Sequence, residues 1–108
     1  MSYFFNAVAK LCLMRPIHPG EILKDELEGL GFSATAFAKL LVVPTNRVTS
    51  ILNETRGITA DTALRLAYFF GTSPEFWLNL QSAYDLKIIM KKQGKKIKNQ
   101  VHPHREAA

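Results

Sequence analysis

Ser33-Ala-Thr-Ala-Phe-Ala-Lys-Leu-Leu-Val-Val-Pro-Thr-Asn-Arg-Val-Thr-Ser-Ile-Leu-Asn53 contains two short apolar-periodic segments separated by a break. In the first, Phe37, Ala38 and Leu41 share one helical face; in the second, Val48, Ile51 and Leu52 do the same. Ser33 is a good N-cap for the first segment. Pro44 suits the first turn of the second, where its missing N–H leaves no bond unmade. So short a turn cannot bring two helices antiparallel, so they must cross steeply, with a small residue at closest approach. Ala38 supplies that residue, and the pattern is a helix-turn-helix.

The outward face of the second helix carries Thr45, Asn46, Arg47, Thr49, Ser50 and Asn53. A merely solvated face would usually hold Glu and Lys, and this one has neither. Short and forked hydrogen-bonding side chains suit base edges and phosphates in a major groove. Asn46, Arg47 and Ser50 are the expected base readers, with Thr45, Thr49 and Asn53 reaching phosphates. Ser33 and Thr35, at the start of the first helix, offer amides and hydroxyls to a phosphate. Thr55 and Arg56, in the loop that follows, are expected to hold the backbone.

The chain has 108 residues, room for one domain with a modest core. No run of about 18 apolar residues occurs, which argues against a membrane span. Residues 3–14 are apolar, but no basic segment precedes them and Asn6 and Lys10 interrupt them, so a secretory leader is not expected. The single cysteine, Cys12, allows no internal disulfide and fits a reducing, cytoplasmic setting. The net charge of +5 is unevenly placed, because residues 1–86 hold seven bases against eight acids, a formal −1. Seven of the fourteen basic residues lie between Lys87 and Arg105. Affinity of the body for DNA must therefore come from a few well-placed groups and from pairing of two chains.

Residues 1–15 read as an N-terminal extension that packs on the body or on a second subunit. Arg15-Pro-Ile-His-Pro-Gly20 resets the chain. A helix follows to about Leu30, with Ile22, Leu23, Leu27 and Leu30 as its core stripe and Gly31 as its stop. Thr59 caps a further helix to about Phe70, in which Ala63, Leu64, Leu66, Ala67 and Phe70 are available for burial. Ser73-Pro74-Glu75 starts the last helix, expected to reach Met90 or beyond. Phe76, Trp77, Leu80, Tyr84 and Ile88 on it are more large apolar groups than a chain end needs. Two uses are open for them, a dimer interface or closure of the core. The expected class is all-α: a compact five-helix bundle over residues 16–90, with residues 91–108 a basic, disordered, flexible tail. That tail has three readings: a solvated end, a loose contact with nucleic acid or an acidic partner, or a segment that folds on a protein partner.

An enzyme would need a convergent polar site. His18, His102 and His104 have no Cys or carboxylate at metal-ligand spacing, so neither metal nor cofactor is expected. His18 reads as a contact at a helix N-terminus rather than a ligand. Cys12 has no basic neighbour to activate it.

Three stretches together resemble one family. Arg15-Pro-Ile-His-Pro-Gly-Glu-Ile-Leu23, the run Ile51-Leu-Asn-Glu-Thr-Arg-Gly-Ile-Thr-Ala-Asp-Thr-Ala-Leu-Arg-Leu-Ala67, and Gly71-Thr-Ser-Pro-Glu-Phe-Trp-Leu-Asn-Leu-Gln81 are similar to segments of HigA/VapI-type antitoxins. These are addiction-module antidotes of the Xre/Cro repressor superfamily. The resemblance covers about residues 15–88. It implies a lambda-repressor-like fold and a homodimer that binds a palindromic operator of its own operon. It further implies a toxin partner, HigB, a RelE-like ribonuclease that cuts messenger RNA. The rival is a stand-alone Xre-type transcription regulator with no toxin. Two positions depart from the family pattern: Val42 stands where the turn usually has Gly, and Thr45 where a basic residue is common.

Overall fold

The computed structural model describes residues 15–104. Among them are five helices and no strand: α1 Pro19–Leu30, α2 Ala34–Leu41, α3 Thr45–Leu52, α4 Ala60–Phe70 and α5 Pro74–Gln100. Cys12 and all of the expected N-terminal extension except Arg15 lie outside the described residues.

Local chemistry sets each boundary. His18 caps α1, its Nδ1 accepting the Gly20 N–H at 2.9 Å. Ser33 caps α2 by accepting the Ala36 N–H, and Ser73 caps α5 by accepting that of Phe76. Thr59 plays the same part for α4, accepting from Thr62. Helices α1 and α4 close on Gly31 and Gly71, whose φ values of 75° and 72° cost glycine little. Pro44 stands as N-cap of α3, one position before the first turn, and supplies no side-chain cap bond.

The core gathers one face from every helix. Phe37 and Ala38 of α2, Val48 and Ile51 of α3, Leu23 and Leu27 of α1, Leu66 of α4 and Trp77 of α5 are all buried. Edge-on and tilted rings continue it, Phe37 to Phe69 at 5.1 Å and Phe70 to Trp77 at 5.7 Å. The Trp77 indole N–H, which burial would otherwise leave unmet, donates to Thr72 Oγ1 at 2.9 Å. Ala38 is 1 % exposed, the small residue the crossing requires. Helix α1 meets α3 just as closely: a Cβ added at Gly20 would fall 2.0 Å from the Ile51 carbonyl oxygen.

Several expectations need correction. Trp77 and Leu80 are 0 % and 6 % exposed within one chain, so they close its core. Phe76, Tyr84 and Ile88 are half-buried. Leu64 is exposed because it stands about 100° round the helix from Ala63, outside the arc of Ala63, Leu66 and Ala67. Leu30, on the expected stripe, is exposed at the last residue of α1, where the chain leaves the helix. Helix α5 runs through the basic stretch to Gln100, a rod of about 40 Å. Lys, Met, Ile and Gln all tolerate helix, and Gly94 alone costs only about 1 kcal/mol, so nothing before Pro103 compels a stop. The basic tail thus begins as helix, and non-helical chain starts only at Val101.

Candidate nucleic-acid interface

Helix α3 owes its position to α2, α1 and α4, and its free face to what they leave uncovered. Val48 and Ile51 face inward, while Thr45, Asn46 and Asn53 are exposed and Thr49 and Ser50 half-exposed. Among the described residues, Asn46 and Asn53 make no side-chain hydrogen bond, so their amides point at solvent with donors and acceptors available. Thr49 is more constrained, its hydroxyl donating to the Asn46 carbonyl at 3.3 Å.

The turn between α2 and α3 takes the left-handed conformation at Val42, φ 58° and ψ 52°. A β-branched residue there is unusual and strained. Backbone and side-chain bonds hold it, the Val42 N–H reaching the Lys39 carbonyl at 3.2 Å. The Val43 N–H reaches back to Ala38 O at 3.0 Å, and Arg65 of α4 donates from one Nη to the carbonyls of Leu41 at 2.8 Å and Val42 at 3.3 Å. The guanidinium thereby satisfies carbonyls that a helix end leaves without partners.

Arg65 also donates its Nε–H to Asp61 Oδ2 at 2.9 Å, and the same oxygen accepts from Arg47 of α3. Arg65 first, then Arg47, hold the Asp61 carboxyl below the ordinary carboxylate range. Arg47 is therefore not splayed outward like Asn46. It lies on the flank of α3 toward α4, with its side chain 30 % exposed. Its expected place beside Asn46 and Ser50 as a base reader is drawn to the edge of the face, although it is not buried.

The loop after α3 folds back on that helix. The Thr55 hydroxyl donates to the Ser50 carbonyl at 3.1 Å, and the amides of Thr55 and Arg56 donate to the same oxygen. Glu54 accepts a positive φ of 63° to make the bend. Arg56 is exposed and lines a groove with Arg47, Ile58, Thr59, Gln81 and Asp85. Ser33 spends its hydroxyl on the α2 cap, and Thr35 is exposed beside it. Arg47 of α3 and Arg56 of the following loop thus share one groove, while Ser33 and Thr35 stand exposed at the start of α2. Sequence reasoning missed Asp61 and Arg65; their i, i+4 spacing on a helix was the available signal.

Among the described residues, no group of three His, Cys, Asp or Glu side chains could hold a metal ion, and no helix is long and apolar enough to cross a membrane. His18 is buried as a cap and stacks edge-on against Tyr84 at 5.0 Å.

The helix-turn-helix family matches residues 23–77. Virulence-associated protein I of Dichelobacter nodosus is 53% identical over 91 residues, 83% of this chain and 82% of that protein. A HigA-family addiction-module antidote from Coxiella burnetii superposes with a TM-score of 0.80 at 67% identity, covering 83% of this chain and 99% of that one. The Pseudomonas aeruginosa antitoxin HigA, solved with the higBA promoter, superposes with a TM-score of 0.79 at 48% identity, covering 82% and 98%. The chain belongs to the HigA/VapI-type antitoxins of the helix-turn-helix superfamily.

Proposed function

We propose that the chain is the DNA-binding antitoxin of a toxin–antitoxin module, which represses its own operon as a homodimer and neutralises a RelE-like, mRNA-cleaving toxin. The observation that carries the DNA half is the uncharged, solvent-facing row Asn46, Thr49, Ser50 and Asn53 on a helix fixed by α1, α2 and α4. Asn46 can pair with adenine, and Arg47 and Ser50 read neighbouring edges. Thr45, Thr49, Asn53, Ser33 and Thr35 face phosphates, and Thr55 and Arg56 hold the backbone. The Pseudomonas relative seen with promoter DNA supports that reading.

Dimerisation follows from the weak charge of the body, since one module of this size gains affinity chiefly by spanning two half-sites a DNA turn apart. Helix α5 supplies the surface, with Phe76, Tyr84 and Ile88 contributing what the core leaves open. Gel shifts on the duplex upstream of the operon's first reading frame test the repressor. Sedimentation tests the dimer, and co-purification with the product of the adjacent reading frame tests the antidote. A stand-alone regulator would bind the duplex and bring no partner with it.

A further inference from the structure

Asp61 stands where a carboxylate is electrostatically unwelcome, at the rim of a surface that meets phosphates. Its side chain is 56 % exposed, yet its Oδ2 is doubly engaged, by Arg47 from α3 and by Arg65 from its own helix. Arg65 in turn grips the carbonyls of Leu41 and Val42 in the turn. A continuous chain of charged bonds therefore runs from the α2–α3 turn through Arg65 and Asp61 to Arg47. Only one Nη of Arg47 is taken by Asp61. Its remaining N–H groups stay available, and a guanidinium can meet a carboxylate on one side and a guanine or phosphate on the other.

We propose that Asp61 is a positioning residue for sequence readout: it fixes Arg47 against α4 so that the guanidinium presents its free edge to the operator in one orientation. A long side chain loses rotamer freedom when it contacts DNA, and one already held loses less. This inference rests on the operator-binding reading above. Arg65 extends the same device by tying the orientation of Arg47 to the geometry of the turn, so the spacing between α2 and α3 and the aim of the arginine are set together.

The test is fluorescence anisotropy with two duplexes, the DNA upstream of the first reading frame of the chain's operon and a scrambled duplex of equal composition. The readout is the ratio of the two affinities, which a simple change of net charge leaves nearly constant. Asp61→Asn should lower that ratio about two- to fivefold, the range expected for loss of an exposed ion pair, while Asp61→Glu, which keeps the carboxylate, should restore most of it. In an Arg47→Ala background, Asp61→Asn should change the ratio no further. An unchanged ratio in Asp61→Asn overturns the proposal, as does an equal fall with Arg47 absent. Circular dichroism of each variant separates loss of fold from loss of readout. A wild-type chain that prefers neither duplex overturns the operator reading itself; a wild type with a clear preference that Asp61→Asn leaves intact overturns only the role of Asp61.

Discussion

Replacing Val42 by glycine should stabilise the protein. Val42 sits at φ 58° and ψ 52° and is 77 % exposed, so its side chain gains almost nothing from burial while its Cβ crowds the backbone. Leaving the left-handed region to glycine recovers about 1–2 kcal/mol. The freer unfolded chain takes back about 0.4–1 kcal/mol. The net gain is about 1 kcal/mol, or a rise of about 4–8 °C in Tm for a domain of this size. Urea titration followed by the fluorescence of Trp77, the only tryptophan and fully buried, reports it directly. The midpoint should rise while the slope stays constant, at fixed protein concentration because the stability of the proposed dimer would depend on it. Val42→Asn, which tolerates the left-handed region better than valine, should gain a smaller amount. A midpoint that stays put or falls in Val42→Gly would mean that the turn holds Val42 without strain.

Other expectations follow from the same geometry. Gly20→Ala places a methyl 2.0 Å from the Ile51 carbonyl, backbone that cannot swing aside, so α1 must shift at a cost of about 1–3 kcal/mol by urea titration. His18 is held neutral by burial, its Nδ1 accepting a bond, and its pKa lies below the usual 6.5. The unfolded chain therefore binds the proton more readily, so stability is full above pH 6.5 and falls as pH drops below it; thermal melts of His18→Asn should lose most of that dependence. Arg56→Ala, which removes one exposed cation beside α3, should weaken binding to any duplex evenly and flatten the plot of log K against log salt by about one unit.

Much of this was legible in the residues because local rules agreed with one another. Ser33, Thr59 and Ser73 announce helix starts, Gly31 and Gly71 announce stops, and Phe37, Ala38, Val48 and Ile51 mark the faces that cross. The unusual turn at Val42 was legible only through the resemblance, which puts glycine at that position. What failed was information that only three dimensions hold. Periodicity places Trp77 and Leu80 on one face of α5 but cannot say whether that face meets its own chain or another. Rotation of a few tens of degrees decided Leu64. The extra turns of α5 are hidden in the sequence because a run of charge resembles a disordered tail, although lysine is a good helix former and a tail needs a breaker as well as a charge. Arg47 was read as pointing outward because its partner, Asp61, lies across a loop, where no sequence period connects them.

Asn46→Ala asks whether the exposed face of α3 reads operator DNA, as proposed. Asn46 lies outside the core and makes no intrachain side-chain bond among the described residues, so its removal should leave the melting curve unchanged. Anisotropy titration against the upstream duplex should show a loss of about 1–3 kcal/mol, with little change on the scrambled duplex. Equal affinities of wild type and Asn46→Ala for the upstream duplex, with both folded, would contradict the account.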